Sequence, residues 1–564
     1  MSVSEYTKSN KNIVDDTHPL KCTILNTRNT NGYTEYVIEV IRISADNCSW
    51  KIFKRYSDFV KLQNALNKYS SKINLELPPK KLIGNMDRKL VMQRQDALQN
   101  CLNIIVENIM LANTLMVRSF LDPETYKDYC KDFQFQKVGM ILRGNKEFEL
   151  FKELPSIGWR VRKKSFLSKW KKDTKQEFLL SWTECGPDLI LRQQDLNSVL
   201  KSISSIIHPL VDVPVVLPSP EGFTLSIHNI QVGSLRDLLY QTTPLQPFLK
   251  KYWDISNHVY LPEQTVISYV KQILFGLKFL HENRIPYGHL HSGNVLVCDI
   301  ENIKLTGIEN STMGLSPYYR PFLVCLGKKR IQSLCDVDVY GFGHILYELT
   351  ENEPLLRPSC EHFSLKTSIN FTKQLKNILA PSSSKLPMPK VNTVITHLKH
   401  ANIIEDEKDT SFFKCKLPNV VKEQYTRISD QCMSRIFEDQ KKISLEKRHK
   451  KIYKIIHEPD NLPDETKSKN FEFYSIKSVN ANENTVRSDS SSSNSTIASL
   501  GSDVPTSTSG NNTLAVIPIP PPPPSLFTST SNGHEENNQR VALLSSISSF
   551  DPSKLKKVAK KITY

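Results

Sequence analysis

Residues 287–294 read Tyr-Gly-His-Leu-His-Ser-Gly-Asn and lie between two segments of different period. Upstream, VISYVKQILFGLKFLHENRIP (266–286) repeats its apolar side chains with helical spacing. Downstream, NVLVCDI (294–300) is a short β-branched run bounded by polar residues, the pattern of a buried strand. A helix, a polar loop with two histidines and a strand follow one another without a gap.

That succession resembles the place where a protein kinase carries its catalytic loop, H-R-D-L-K-P-x-N. Laid over the pattern, Tyr287 stands for the His, Gly288 for the Arg, His289 for the catalytic Asp and His291 for the Lys, while Leu290 and Asn294 are kept. Other segments fall in kinase order. SSIIHPLV brings His208-Pro209 to the end of a C-helix, and GFTLSIHNIQVGSLRDLLY reads as strand, hinge and helix. CDVDVYGFGHILYELTENEP, with Asp338, Gly341 and Gly343, resembles the central helix of the larger lobe. The resemblance implies a bilobal protein-kinase-like domain over 140–435.

The chemistry does not follow. Phosphoryl transfer needs a phosphate cradle, a lysine, a base and metal-binding carboxylates. In LPSIGWRVRKKSFLSKW, Gly158 is followed by Trp159, Arg160 and Val161, whose side chains obstruct backbone approach to phosphate. The strand EFLLSW carries no lysine, and the C-helix glutamate position falls near Val199. Gly307-Ile308-Glu309 occupies the place of the metal-binding D-F-G. Tyr287, Gly288, His289 and Asn294 are therefore expected to be degenerate catalytic-loop positions, and Gly307, Ile308 and Glu309 a degenerate metal motif. No catalytic residue, metal or cofactor is expected. The alternative is an atypical Ser/Thr kinase with His289 as base and Glu309 in place of the aspartate. His289 and His291 are expected to be structural or solvent-facing rather than zinc ligands, and Arg236 and Asp237 a helix-surface pair.

Ahead of this domain, after a disordered leader (1–17), residues 18–128 read as a small α+β unit. KCTILNT, YTEYVIEVIRI and SWKIFKR are strands, and YSDFVKLQNALNKYS has Phe59, Leu62, Leu66 and Tyr69 at helical spacing. KRYSDF, LPPKK and RQDALQNCLN, in that order, resemble the phox-homology (PX) domain, which recognises phosphoinositide headgroups. The resemblance implies that Arg55 takes the 3-phosphate, Tyr56 lies under the inositol ring, Lys80 reaches the 1-phosphate and Arg94 holds ring hydroxyls. Leu82, Ile83 and Met86 would enter the bilayer, and phosphatidylinositol 3-phosphate is the expected ligand. A phosphorylated ring does require bidentate cations beside a flat apolar face.

The chain has 564 residues with 74 Lys and Arg against 58 Asp and Glu, a formal net charge of +16. That balance favours anionic partners such as a lipid surface or actin; without a nucleic-acid motif, nucleic acid is not expected. The 11 cysteines form no CxxC pair, which fits reduced thiols. No apolar run reaches membrane-spanning length, so membrane contact is expected to be peripheral.

Residues 436–457 form a basic helical segment, and 458–539 are a Ser-, Asn- and Pro-rich stretch that cannot bury a core. Pro518–Pro524 gives a short polyproline rod, a ligand shape for profilin or SH3 domains. Over 540–560, Leu543, Leu544 and Ile547 at helical spacing precede Leu555, Lys556, Lys557 and Val558. This resembles the Wiskott–Aldrich homology 2 motif and implies binding of an actin monomer.

The whole order is similar to the PX-domain-containing kinase-like family, through RYSDF, LPPKKLIGNMDR, PYGHLH and related strings. The resemblance implies a multidomain α+β protein: a PX domain, a pseudokinase and a disordered Pro-rich tail with a short actin-binding helix. It implies a catalytically inactive scaffold, cytoplasmic and peripheral on early endosomes or the plasma membrane, linking receptor trafficking and Na,K-ATPase β-subunits to actin. The alternative gives actin regulation the primary role, with the PX domain as an address.

Overall fold

Alternation of apolar and polar side chains from Leu20 onward produces an antiparallel meander of β1 (Leu20–Thr30), β2 (Tyr33–Arg42) and β3 (Ser49–Arg55). The β1–β2 register slips at Leu25, between Ile24 and Asn26; Leu25 is exposed while Cys22 and Ile24 are buried. α1 (Tyr56–Asn67) follows β3 directly, its first turn capped by the Arg55 N–H donating to Asp58 Oδ2 at 3.1 Å. The face expected from the spacing is the one that packs: Phe59, Leu62 and Leu66 are buried against the meander. α2 (Arg88–Glu107), α3 (Ile109–Ala112), α4 (Leu115–Leu121) and α5 (Pro123–Tyr126) close the other side. Asn108 and Thr114 cap α3 and α4 by accepting backbone N–H groups, each worth about 1 kcal/mol.

The structure, a computed structural model, describes residues 15–457 apart from 31, 44–47, 81–86, 127–132, 220–222, 230–232, 255–257, 364–368, 406–414 and 416. Leu82, Ile83 and Met86 therefore lie outside the described residues, as do Pro518–Pro524 and Leu543, Leu544, Ile547, Leu555, Lys556, Lys557 and Val558.

The kinase-like body opens with α6 (Phe133–Arg143), which buries Val138 and Leu142 under a five-stranded sheet. The sheet consists of β4 (Phe148–Glu153), β5 (Lys163–Trp170), β6 (Asp173–Glu184), β7 (Val215–Pro218) and β8 (Phe223–Asn229), in the order β4-β5-β6-β8-β7. α7 (Gln193–Ile203) crosses between β6 and β7 and turns Val199 into the apolar core. The larger lobe contains β9 (Gly233–Ser234), α8 (Leu235–Leu239), α9 (Phe248–Tyr252), α10 (Glu263–Glu282), β10 (Val295–Val297) and β11 (Ile303–Leu305). It continues through α11 (Arg320–Leu323), α12 (Leu334–Glu351), α13 (Ile369–Leu379), α14 (Val391–His400) and α15 (Asn419–His457).

α12 is apolar nearly all round and almost wholly buried, as such a helix must be. Gly341 lets it press on the loop at 287–294: a Cβ there would stand 2.4 Å from the Leu290 carbonyl oxygen. The packed body exceeds the expected 140–435 span at both ends, since Val138, Ile436, Asp439 and Gln440 are all buried. α15 continues past them as one helix, and the stretch expected as a separate segment from 436 begins inside the core.

The leader is not loose throughout its length: Asp15 and Thr17 are each 4% exposed. Arg236 and Asp237 are not a surface pair. Both are buried, Arg236 donating to Ser292 Oγ at 2.9 Å and Asp237 pairing with Lys251 at 2.9 Å.

The PX unit and the kinase-like body share apolar contacts. Leu249 and Trp253, from α9 and the turn after it, pack into the PX core, and Met110 of α3 packs on the larger core. Lys72 pairs with Asp254 beside them.

Candidate functional site

At the edge of the meander, the end of β3 and the start of α1 place Arg55 and Tyr56 side by side. The Tyr56 hydroxyl donates to the Pro78 carbonyl at 2.5 Å, which fixes the proline turn leading to exposed Lys80. From α2, the buried Arg94 lays its guanidinium 4.6 Å from the centre of the Tyr56 ring. Arg55 is half-exposed, 3.7 Å from Asp58 and 5.5 Å from the Tyr33 ring centre. Tyr56 is thus the hub that joins three segments far apart in sequence: Arg55 beside it, Arg94 over it and the Pro78–Lys80 turn at its hydroxyl.

The second site lies between the lobes. β10 and α10 hold the loop at 287–294, where Tyr287 Oη donates to the Thr306 carbonyl at 3.0 Å and the Gly288 N–H to Asp338 Oδ1 at 2.8 Å. Asn294 turns its amide inward, donating to the His289 carbonyl at 2.9 Å. Every one of these groups supports the loop's own shape.

The β4–β5 connection closes over it. Arg160 Nη2 donates to the Ser316 carbonyl at 2.9 Å and lies 3.2 Å from His289 Nδ1. A guanidinium has only donors, so the Nδ1 of His289 must accept and its proton resides on Nε2. Burial, with Arg160 and Lys163 nearby, holds His289 well below the usual histidine range. The imidazole is neutral and its lone pair is engaged. Trp159 meets Tyr318 edge-on with ring centres 5.0 Å apart and His291 at 6.4 Å, so the two residues after Gly158 fill the space above the loop. His291 is buried too, its Nδ1 accepting from the Gly293 N–H at 3.1 Å; neither histidine faces solvent. Among the described residues no group of three His, Cys, Asp or Glu side chains is gathered as a metal cage requires.

Gly307 has φ +77°, and a Cβ there would stand 2.5 Å from Asn310 Nδ2. An aspartate at this point would strain the backbone and displace Asn310. Ile308 is in the core. Glu309 is 1% exposed and belongs to a relay: its Oε1 lies 3.8 Å from His228 Nε2, and His228 Nδ1 lies 2.7 Å from Asp212 Oδ2. Burial pushes the Glu309 carboxyl up, but His228 and Lys163 pull it down to about 2. Burial also pulls the His228 imidazolium down, and the hydrogen bond to Asp212 with the nearby Glu309 carboxylate outweighs that, raising it to about 9.

Sequence reasoning missed Lys163, Asp212 and His228. Lys163 begins β5, is partly buried and interacts with Glu309. A signal existed: with Phe166 turned toward α6, the two-residue period puts Lys163 on the opposite, cleft-facing side of the strand. Inside RVRKKS it reads as part of a solvated charge run.

The PX domain family model matches residues 44–124. The mouse PX domain-containing protein kinase-like protein is 37% identical over 451 residues, 79% of this chain and 76% of its own length. The Drosophila melanogaster Slowpoke-binding protein is 30% identical over 227 residues, 38% of this chain and 42% of that one. A Dictyostelium discoideum protein described as "Probable inactive serine/threonine-protein kinase slob2" is 34% identical over 157 residues, 27% of this chain and 25% of its own. The chain belongs to the PX domain-containing protein kinase-like family.

Proposed function

We propose that this protein is a phosphoinositide-directed scaffold that performs no phosphoryl transfer. The observation that carries the second half is the contact of Arg160 with His289. The only nitrogen of His289 free of that contact bears a proton, so the side chain at the position of the base is a donor. Glu309 is buried with its Oε1 3.8 Å from His228 Nε2, and one backbone-bound asparagine makes a poor site for a hard divalent ion. The same arrangement speaks against an atypical kinase built on His289 and Glu309.

The first half rests on Tyr56. Its neighbours supply the cations that a phosphorylated ring needs, and phosphatidylinositol 3-phosphate is the ligand proposed, with Arg55 on the 3-phosphate, Lys80 on the 1-phosphate and Arg94 on ring hydroxyls. Arg94 covers one face of Tyr56, so the inositol ring uses the other face or displaces the guanidinium. No helix among the described residues is long and apolar enough to cross a membrane. A single headgroup site gives weak, reversible attachment, so residence on endosomes or the plasma membrane would draw on a second contact. The kinase-like body is proposed as a protein-binding surface; the Drosophila relative is named for binding Slowpoke. Actin, profilin or SH3 domains, and Na,K-ATPase β-subunits are proposals that rest on the sequence alone.

The test of inactivity is transfer of labelled phosphate from magnesium ATP by the purified full chain, to itself and to a generic acceptor. No transfer above a heat-denatured control is expected. Transfer that disappears on His289→Ala or Glu309→Ala would establish the kinase instead.

A further inference from the structure

We infer that Asp15–His18 is a latch that holds the PX domain closed over the face of the kinase-like lobe beside the 287–294 loop, and that releasing it uncovers that face. The short leader segment has one wall in each domain. On the PX side, Arg118 of α4 donates to the Asp16 carbonyl at 2.5 Å and to Asn113 Oδ1 at 2.8 Å, and Tyr126 of α5 bonds the Asp16 carboxylate. On the kinase-like side, Asp15 accepts from Ser316 Oγ at 2.7 Å, lies 3.5 Å from Arg320 Nη1 and pairs with Arg435 of α15. His18 Nε2 lies 3.4 Å from Asp439.

The leader lines a small cavity with Trp159, Arg160, Glu184 and Ser316. Further along the same lobe a second, aromatic cavity is lined by Arg236, Tyr318, Tyr319, Phe322 and His344, with Ile109 of PX helix α3 set against it. The same stretch, 316–322, carries the partners of Asp15. The leader and α3 thus cover one continuous strip of the lobe, next to His289–Ser292.

Three features mark this contact as a latch and not as part of either core. First, the lobe is balanced without it: Arg320 and Arg435 keep Asp188 and Asp439 as partners, Arg435 Nη1 lying 2.5 Å from Asp188 Oδ1. Removing the leader leaves no unpaired charge there. Second, closure buries more guanidinium than it satisfies. Among the described residues, Nε and Nη1 of both Arg320 and Arg118 have no hydrogen-bond partner, and a partly satisfied buried polar network is a poor source of net stability. Third, what else joins the domains among the described residues is modest: Leu249, Trp253, Ile109 and Met110, with the Lys72–Asp254 pair. Such an interface permits domain movement. Opening therefore breaks a specific contact at the leader and α3 while Leu249 stays seated in the PX core.

Hydrogen exchange of the full-length chain, read by mass spectrometry, tests this with Asp15→Arg against wild type. Charge reversal at Asp15 sets a third cation beside the buried Arg320 and Arg435, which expels the leader and should raise exchange by roughly tenfold or more in α3–α5 and in 315–323. α12 and the β1–β3 meander should exchange as in wild type. Unchanged exchange in 315–323 would overturn the latch, as would a rise spread equally through α12, which would make Asp15 an ordinary fold determinant. Should Asp15→Arg fail to fold, Asp15→Asn keeps the shape and should give the same local pattern at smaller amplitude; a silent Asp15→Asn would overturn the proposal equally.

Discussion

Arg160 Nη2 lies 3.2 Å from the Nδ1 of His289, joining the loop that would cradle phosphate to the side chain at the position of the catalytic base. The residues that depart from the kinase pattern at these two places are therefore also structural partners. Each departure is built into a contact, and undoing one of them meets the others.

Restoring the ordinary residues should not restore transfer. His289→Asp would put a carboxylate against Arg160 and form a buried ion pair, while Trp159 would still fill the space above. Gly307→Asp would strain a φ of +77° and push on Asn310. The double variant is expected to show no phosphate transfer above wild type and to unfold at lower urea, the Gly307 change costing about 1–3 kcal/mol. Magnesium-dependent transfer by the double variant would contradict this account of the cleft.

The relay through Glu309 sets a pH dependence. With His228 raised to about 9 and Glu309 lowered to about 2, each ionises more readily in the folded chain than in the unfolded one. The His228 contribution is fully present below its unfolded value of 6.5 and is lost as pH rises through about 9. The Glu309 contribution is present above 4.5 and is lost as pH falls through about 2. Chemical denaturation of wild type should therefore show stability falling from pH 6.5 toward 9, and His228→Gln should flatten that slope. An unchanged slope in the variant would place the titration elsewhere.

Leu249 belongs by sequence to the kinase-like body but is 4% exposed within the PX core. Leu249→Ala should destabilise the PX domain by about 2–5 kcal/mol, the range for deleting a buried leucine side chain. Urea unfolding followed at Trp50, whose Nε1 bonds the Leu121 carbonyl at 2.8 Å, would report it. A PX transition that does not move would mean that Leu249 does not support that core.

Much of the fold was legible because its signals are local. The alternation of β2 and the spacing of Phe59, Leu62 and Leu66 give the PX elements, and the run from Val266 to Leu280 gives α10. The degenerate loop was legible for the same reason, since its residues are contiguous. What was not legible depends on distant pairs. Asp15 and Arg435 are far apart along the chain, and each reads alone as a solvated charge. Arg236 looks like a helix-surface residue until Glu348 and Ser292 close around it. Lys163 was hidden in a basic run, and His228 in a strand whose polar residues look exposed until β6 and Glu309 cover them.

The most direct measurement is flotation of the full-length protein with liposomes that carry single phosphoinositides, wild type beside Arg55→Ala and Tyr56→Ala. The expected result is flotation with phosphatidylinositol 3-phosphate and loss of at least about tenfold in either variant, since each removes a charged or stacking contact to the headgroup. Flotation with any anionic liposome, unaffected by Arg55 or Tyr56, would contradict a headgroup-reading scaffold and leave the net charge of +16 as the attraction.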